Sequence, residues 1–195
     1  MADPLDPVVP GETELADEDR FGLIHVHIAT RADLNVLEQE NIAVALDGPP
    51  PTLEVLLDDK YLRDLHRAMF GDVWEWAGRY RTRETNIGVD PATISTAVRT
   101  LVADACTWVD HQTYELDELA VRFHYRLVSI HPFPNGNGRH SRVAANYLVA
   151  ALGGKWFSWG AGMGSNTSDL RAAYLTGIRN AGRGQIGELL RFARS

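Results

Sequence analysis

Residues 131–142 read HPFPNGNGRHSR, and this stretch determines where two helices of the chain end and begin. A residue that precedes proline is disfavoured in the right-handed helical region. Pro132 therefore predicts a helix end near Ile130 and an extended His131. A second helix is predicted from about Asn137, so the sequence indicates a stiffened loop between two helices.

The residues of this loop fit a phosphate-transfer site. Gly136 and Gly138 predict positive φ angles and a close approach of the backbone to a ligand. The first N–H groups of the following helix, with Arg139 and Arg142 beside them, favour an anion. His131 is the nearby group that takes a proton at neutral pH. The combination points to phosphoryl or nucleotidyl transfer, and the alternative is a rigid interhelical turn with surface arginines.

Apolar residues recur at helical spacing over most of the chain on either side of the loop. Helices are predicted at residues 32–46, 52–70 with a break near 58–59, 91–111, 116–130, 137–152, 168–180 and 185–193. Residues 80–89 look extended, as in a short hairpin. Because other strand signals are sparse, the predicted fold class is all-α.

Composition and charge distribution restrict the partners of this chain. It has 195 residues, of which 45% are hydrophobic and 23% are charged, as in ordinary globular proteins. The net charge of −7 is uneven, since residues 1–20 hold seven acids and one base, whereas the last 65 residues hold eight bases and two acids. The overall acidity disfavours nucleic acid and anionic membranes as partners, while the basic C-terminal third suits an anionic ligand.

Localisation and cysteine usage are read from simpler features. No apolar run approaches the roughly 20 residues that cross a bilayer. Residues 1–20 lack the basic and apolar parts of a signal peptide, so a cytoplasmic protein is expected. The single cysteine, Cys106, lies at apolar helical spacing with Val102 and Val109, which predicts a small core residue.

The stretch HPFPNGNGRHSR resembles the active-site motif of the Fic (Fido) family, His-x-Phe-x-Asp/Glu-Gly-Asn-Gly-Arg-x-x-Arg. The preceding FHYRLVSI and the upstream LHRAMFGDVWEWAGRYRTRETNIG are also similar to that family, so the resemblance covers residues 52–195. The stretch FGLIHVHIATRADLNVLEQENI is similar to the Fic subgroup called mobile mystery protein B. These resemblances divide the chain into an acidic arm at 1–20, an N-terminal helical segment at 21–51 and a Fic domain at 52–195.

The resemblance implies an all-α Fic fold with a short β-hairpin flap, and transfer of AMP from ATP to a Ser, Thr or Tyr hydroxyl of a target protein. His131 would be the catalytic base. The implied nucleotide-binding residues are Asn135, Gly136, Asn137, Gly138, Arg139, Arg142 and Tyr174, although ordinary helix packing is an equal interpretation of Tyr174. The implied target-docking flap contains Thr85, Asn86, Ile87 and Gly88. A companion protein from the same mobile element is a further expected partner.

Asn135 departs from the family pattern, which has a Mg²⁺-binding carboxylate at that position. An asparagine supplies only a neutral carbonyl oxygen, so Mg²⁺ is expected to bind here more weakly. Two alternatives follow from this departure. The same site would carry out another nucleotidyl or phosphoryl transfer, or it would bind a nucleotide or protein without turnover.

A candidate inhibitory helix lies before the Fic domain. Residues 34–39, LNVLEQ, are similar to the family's inhibitory pattern Ser/Thr-x-x-x-Glu-Gly/Asn, but Leu34 and Gln39 depart from it. The resemblance predicts that Glu38 pairs with Arg142 and occludes the γ-phosphate site. Glu40 in that role, or a plain solvated helix face, are the alternatives.

Overall fold

The computed structural model describes residues 17–25, 27–28, 30–163 and 167–195, and this part of the chain is helical. The helices are Asp17–Arg20 (α1), Arg31–Ala45 (α2), Leu53–Leu56 (α3), Asp59–Phe70 (α4), Ile94–Asp110 (α5), Leu116–Ile130 (α6), Asn137–Ala151 (α7), Thr167–Ala181 (α8) and Gly187–Arg194 (α9). The only β pairing among the described residues is an isolated bridge between Leu23 and Trp74. The all-α prediction is confirmed.

Side-chain caps explain where several helices begin. Thr30 accepts a hydrogen bond from the backbone N–H of Asp33 at the start of α2. Asp58 caps α4, and its position confirms the predicted break near residues 58–59. Asp90 caps the short 3₁₀ turn Pro91–Thr93 that leads into α5. Each cap satisfies an N–H group that has no partner within its own helix.

The core surrounds α6, which packs against α5, α7 and α9. The buried apolar stripe of α6 includes Leu119, Phe123, Leu127 and Ile130. Elsewhere α8 packs against α9, and α2 packs against α4. The end of α6 and the start of α7 are therefore fixed by the core, and they hold the loop between them in a defined position.

The predicted hairpin at residues 80–89 is wrong, since the structure shows no strand in this segment. The backbone N–H of Arg81 donates to the carbonyl of Pro132 at 2.9 Å, and the N–H of Val89 donates to the carbonyl of Ile130 at 3.2 Å. Both N–H groups bind backbone carbonyls of residues 130–132, and they do not pair the two halves of the segment as in a hairpin. The flap is an irregular loop fastened to the residues around His131.

The prediction that Cys106 lies in the core is also wrong, because its side chain is exposed. The buried face of α5 is formed by Ile94, Val98, Leu101 and Ala105. Cys106 follows Ala105 directly, and successive helical residues point about 100° apart. Val102, Cys106 and Val109 do share one face of α5, but that face lies next to the buried one.

The N-terminal arm is described in part. Residues 1–16 of the predicted acidic arm lie outside the described residues. Residues 17–20 form α1 rather than a free extension, and Asp19 makes an ion pair with Arg83 at 2.7 Å. None of the helices in the described ranges has both the length and the apolar character that a membrane span needs.

Candidate active site

His131 occupies an unusual backbone conformation at the end of α6. Its φ and ψ angles are 55° and 59°, in the left-handed region, so the predicted extended conformation is wrong. The N–H of His131 donates to the carbonyl of Leu127 at 3.3 Å, as a helix C-cap. The left-handed region closes the helix and also avoids the right-handed conformation that Pro132 disfavours. Such strain in a non-glycine residue is concentrated at functional sites.

The two glycines of the motif have different structural roles. Gly136 has φ 78°, and a Cβ atom there would lie 2.6 Å from the Phe70 ring. Gly138 lies in the first turn of α7 without a positive φ, and nothing is found within 4 Å of where its Cβ would be. The predicted positive φ is confirmed for Gly136 and wrong for Gly138, which instead leaves open space next to the helix N-terminus.

Buried polar side chains hold residues 131–138, which we call the cradle loop. The Asn137 side chain accepts from the N–H of Phe133 at 2.9 Å and donates to the carbonyl of the same residue at 2.8 Å. Both ends of its amide are engaged within the loop, so the Asn137 side chain holds the shape of the loop.

Two residues that the sequence analysis missed complete this support. His66 accepts from the N–H of Gly78 and donates to the carbonyl of Asn135, both at 3.0 Å, while its ring stacks on Phe133. Buried Arg81 donates from Nε to the carbonyl of His131 at 2.7 Å and also to the carbonyl of Val89. Because both side chains bind backbone atoms of distant segments, no spacing in the sequence reveals them.

The cradle loop opens onto a cleft of about 700 Å³. Among its lining residues in the described part of the chain, the charged ones are all arginines: Arg31, Arg139, Arg142 and Arg171. Of the predicted site residues, the cleft is lined by His131, Asn135, Gly136, Asn137, Gly138, Arg139, Arg142, Tyr174, Ile87 and Gly88. Thr85, Asn86 and Glu38 lie outside that lining. The cleft is thus suited to an anionic ligand.

One side of the cleft comes from α2, which lies outside the motif. Arg31, Asn35 and Gln39 line the cleft and follow one another at intervals of four residues, so they share one helix face. We call these three residues the α2 wall. None of the three was predicted to line the cleft, although Asn35 and Gln39 fall within the candidate inhibitory pattern.

Glu38 is buried, with 1% of its surface exposed, and it binds Arg139 rather than the predicted Arg142. Its carboxylate accepts from Arg139 Nη2 at 2.8 Å and from Trp74 Nε1 at 2.7 Å. Burial removes the solvated-face alternative, and Glu40 is exposed.

The choice of arginine follows from the faces of α7. The Arg139 guanidinium lies over the Phe70 ring of α4, the helix against which α2 packs. The Arg142 guanidinium lies over Tyr174 of α8, 5.5 Å from the ring centroid, and its Nε donates to the carbonyl of Gly138. Arg139 therefore faces α2 and Arg142 faces away from it.

Tyr174 lies at the cleft and also packs against a neighbouring helix, and its role in nucleotide binding stays a prediction. Its ring lines the cleft, and it also lies against the ring of Phe192. The hydroxyl is 3.2 Å from Nε2 of the buried His124. Burial raises the pKa of Tyr174 to about 12, so the hydroxyl stays protonated at neutral pH.

His131 is neutral in the folded protein. Burial is the main cause that lowers its pKa to about 4, the nearby Arg81 charge lowers it further, and a hydrogen bond with the Val128 backbone opposes both. A neutral imidazole can accept a proton, which is the requirement for a general base.

Asn135 as placed does not fit a Mg²⁺ ligand. Its Oδ1 accepts from the N–H of Gly136 at 2.6 Å, while Nδ2 is buried and has no hydrogen-bond partner among the described residues. Mg²⁺ takes oxygen ligands, often carboxylates, and an N–H group repels it. Within the ranges that the structure covers, no cluster of three or more His, Cys, Asp or Glu side chains is arranged for a metal.

Comparison with known proteins gives related sequences and folds. Residues 56–149 match the sequence model of the Fic/DOC family. Protein adenylyltransferase fic-1 of Caenorhabditis briggsae is 34% identical over 105 residues, covering 51% of this chain and 20% of that protein. The probable protein adenylyltransferase y4lH of Sinorhizobium fredii is 32% identical over 105 residues, covering 50% of this chain and 55% of that protein. This chain thus spans about a fifth of the first relative and just over half of the second.

Solved structures share the fold. The crystal structure of BepC, a VirB-translocated effector protein of Bartonella tribocorum, contains bound AMPPNP. It superposes with a TM-score of 0.68 at 17% identity, covering 91% of this chain and 98% of that chain. At this level of identity the match shows a common helical architecture.

Proposed function

We propose that this chain is a protein adenylyltransferase, because residues 56–149 match the sequence model of the Fic/DOC family. It transfers AMP from ATP to a hydroxyl side chain of a target protein. The observation that carries the proposal is the position of the neutral base His131 beside the N-terminus of α7, in a cleft whose charged lining residues in the described structure are arginines. The names of the relatives fic-1 and y4lH support it.

The proposed reaction uses groups that the cleft brings together. The polyphosphate of ATP lies against the N-terminal N–H groups of α7, where the helix dipole favours an anion. His131 accepts the proton of the target hydroxyl, and the hydroxyl oxygen forms a bond with the α-phosphorus. The bond from that phosphorus to the bridging oxygen breaks, and pyrophosphate leaves beside Arg139 and Arg142.

Other residues of the cleft are suited to binding the adenine ring and the target segment. Tyr174 and Trp159 line the cleft on the side of α8 and offer aromatic surface to the adenine ring. Gly88 of the flap lies against His131, since a Cβ atom there would come within 2.8 Å of the histidine Cβ. The flap, including Thr85 and Asn86, is proposed to align the target segment so that its hydroxyl reaches His131.

Glu38 is proposed to restrain the enzyme in the conformation described. Its ion pair with Arg139 occupies a guanidinium that the reaction needs for phosphate charge. Release of α2 would free Arg139, so α2 would control the reaction without contributing to the chemistry. This version of the inhibitory helix uses Arg139 in place of the predicted Arg142.

A second candidate function is favoured by Asn135, whose side chain lacks the charge of the family's carboxylate. In that case the cleft binds a nucleotide without turnover. A third outcome is transfer of another group, such as the γ-phosphate, from the same cleft.

Incubation with ATP labelled at the α- or the γ-phosphate separates these functions. We expect label in protein from the α position alone, and a loss of at least about 100-fold in His131→Ala. The matched control is His111→Ala, which removes an exposed histidine at the end of α5 and should leave the labelling intact. Label from the γ position alone would establish phosphate transfer. Absence of label from both positions, also in Asn135→Asp and Glu38→Gln, would establish the binding module.

A further inference from the structure

The side-chain amide of Asn135 presents a donor where the family pattern has an acceptor. The orientation of the amide is set by its neighbour, because Oδ1 faces the N–H of Gly136 at 2.6 Å. Nδ2 is consequently the other branch of the amide, and in the structure as described it is buried without a hydrogen-bond partner. Asn135 is 7% exposed and lines the cleft. Nδ2 is covered in this conformation, so an acceptor in the cleft reaches it when the Asn135 side chain turns, and the contact then gives the donor the partner it lacks.

The charges around Asn135 determine which acceptor fits. The cleft that Asn135 lines is also lined by the N-terminus of α7 and by arginine side chains, of which Arg31 and Arg171 add positive charge from outside the motif. A carboxylate at this position would repel a phosphate group unless a cation lay between them. The amide carries no charge, so this reason for a bridging cation is absent. A divalent cation would instead meet an N–H donor and several guanidinium groups.

We infer that Asn135 binds a phosphate oxygen of the nucleotide directly through Nδ2, and that the cleft takes a nucleoside polyphosphate without a divalent cation. The inference rests on the proposed function, since it concerns the same nucleotide site. The arginines neutralise the polyphosphate charge, and the amide fixes the position of one phosphate oxygen.

Calorimetric titration of the full chain with ATP, in excess EDTA and in excess MgCl₂, tests this inference. For the unaltered protein the Kd is expected to differ by less than about threefold between the two conditions. Asn135→Asp is expected to bind at least about tenfold more weakly in EDTA and to regain affinity with MgCl₂, because its carboxylate repels phosphate until a cation intervenes. Asn135→Ala lacks the donor without adding charge, and it should bind more weakly by the same factor in both conditions.

The control is Asn35→Asp, which places a carboxylate elsewhere in the same cleft. Any loss of affinity in this variant should be the same with EDTA and with MgCl₂. Thermal unfolding checks that each variant is folded, and if Asn135→Asp is not, Asn135→Ala carries the test. Binding of ATP by the unaltered protein only with MgCl₂ would overturn the inference and leave the nucleotide site intact. Failure to bind ATP in either condition would overturn both the inference and the proposed function.

Discussion

The two sides of the cleft are built in different ways. The cradle loop is fixed from within by the double hydrogen bond of Asn137 to Phe133, and from outside by His66 and Arg81. The α2 wall belongs to a helix that packs on α4 and reaches the motif through the ion pair of Glu38 with Arg139. α2 also contributes to the core, but it is linked to the motif by an ion pair. We therefore expect the cradle loop to keep its geometry, and the ion pair to be the contact that regulation would change.

The largest effect should come from disturbing the cradle loop with Gly136→Ala. The new methyl group would lie 2.6 Å from Phe70 in a residue with φ 78°. The free energy of unfolding is expected to fall by about 2–4 kcal/mol, from backbone strain and overpacking together. Label transfer from α-labelled ATP should fall at least about 100-fold, because the loop no longer holds the base and the helix N-terminus together.

Gly153→Ala is the control for backbone strain. Gly153 has φ 86°, but nothing lies within 4 Å of where its Cβ would be. Chemical denaturation should show a loss of about 1 kcal/mol with transfer preserved. Equal losses of unfolding free energy and of transfer in the two variants would show that the close packing of Gly136 against Phe70 does not constrain the cradle loop.

A smaller change, an increase in the transfer rate, is expected when the contact between α2 and the motif is removed. Glu38→Gln removes the charge that holds Arg139, while the amide oxygen can still accept from Trp74. The rate of transfer from α-labelled ATP should rise at least about fivefold, as for a modest coupling between a regulatory contact and a site. Glu40→Gln changes an exposed carboxylate on the same helix and should leave the rate unchanged. A rate that falls in Glu38→Gln would mean that the pair supports the active conformation.

The smallest change in the transfer rate is expected when the pH is varied. The pKa of His131 is lowered to about 4, mainly by burial, and the neutral form is the one proposed to act as the base. A lowered pKa extends activity to lower pH, so the transfer rate should change less than about twofold between about pH 5.5 and about pH 7.5. An unshifted histidine would lose about tenfold over that range, and such a loss would place His131 in an exposed environment. Circular dichroism at the lower pH confirms that the protein is folded during the measurement.

The helices were predictable from the sequence because their ends carry local signals. Asp58 and Asp90 are caps at the predicted break near residues 58–59 and at the predicted helix start at 91, and α6 ends at Ile130 as Pro132 predicts. The residues that line the cleft at the motif were also predictable, since they follow one another in the chain. Their catalytic and binding roles stay predictions.

Features that depend on distant partners were not predictable. The predicted partner of Glu38 was wrong, because the pairing depends on which face of α7 is turned towards α2. The sequence places Arg139 and Arg142 in the same motif, and only the packing of the helices shows that Arg139 faces α2. The flap was predicted as a hairpin because its composition is extended, but its hydrogen bonds go to the 130–132 backbone. Contacts between segments far apart in sequence decide both cases.

The most direct test compares Glu38→Gln with the double variant Glu38→Gln/His131→Ala at saturating ATP, by the rate of label transfer from the α-phosphate. The first variant is expected to free Arg139, so the comparison isolates the contribution of His131. The account predicts a rate at least about 100-fold lower in the double variant, with the Kd for ATP changed by less than about twofold. Equal transfer rates in the two variants would contradict it, since the reaction would then proceed without His131.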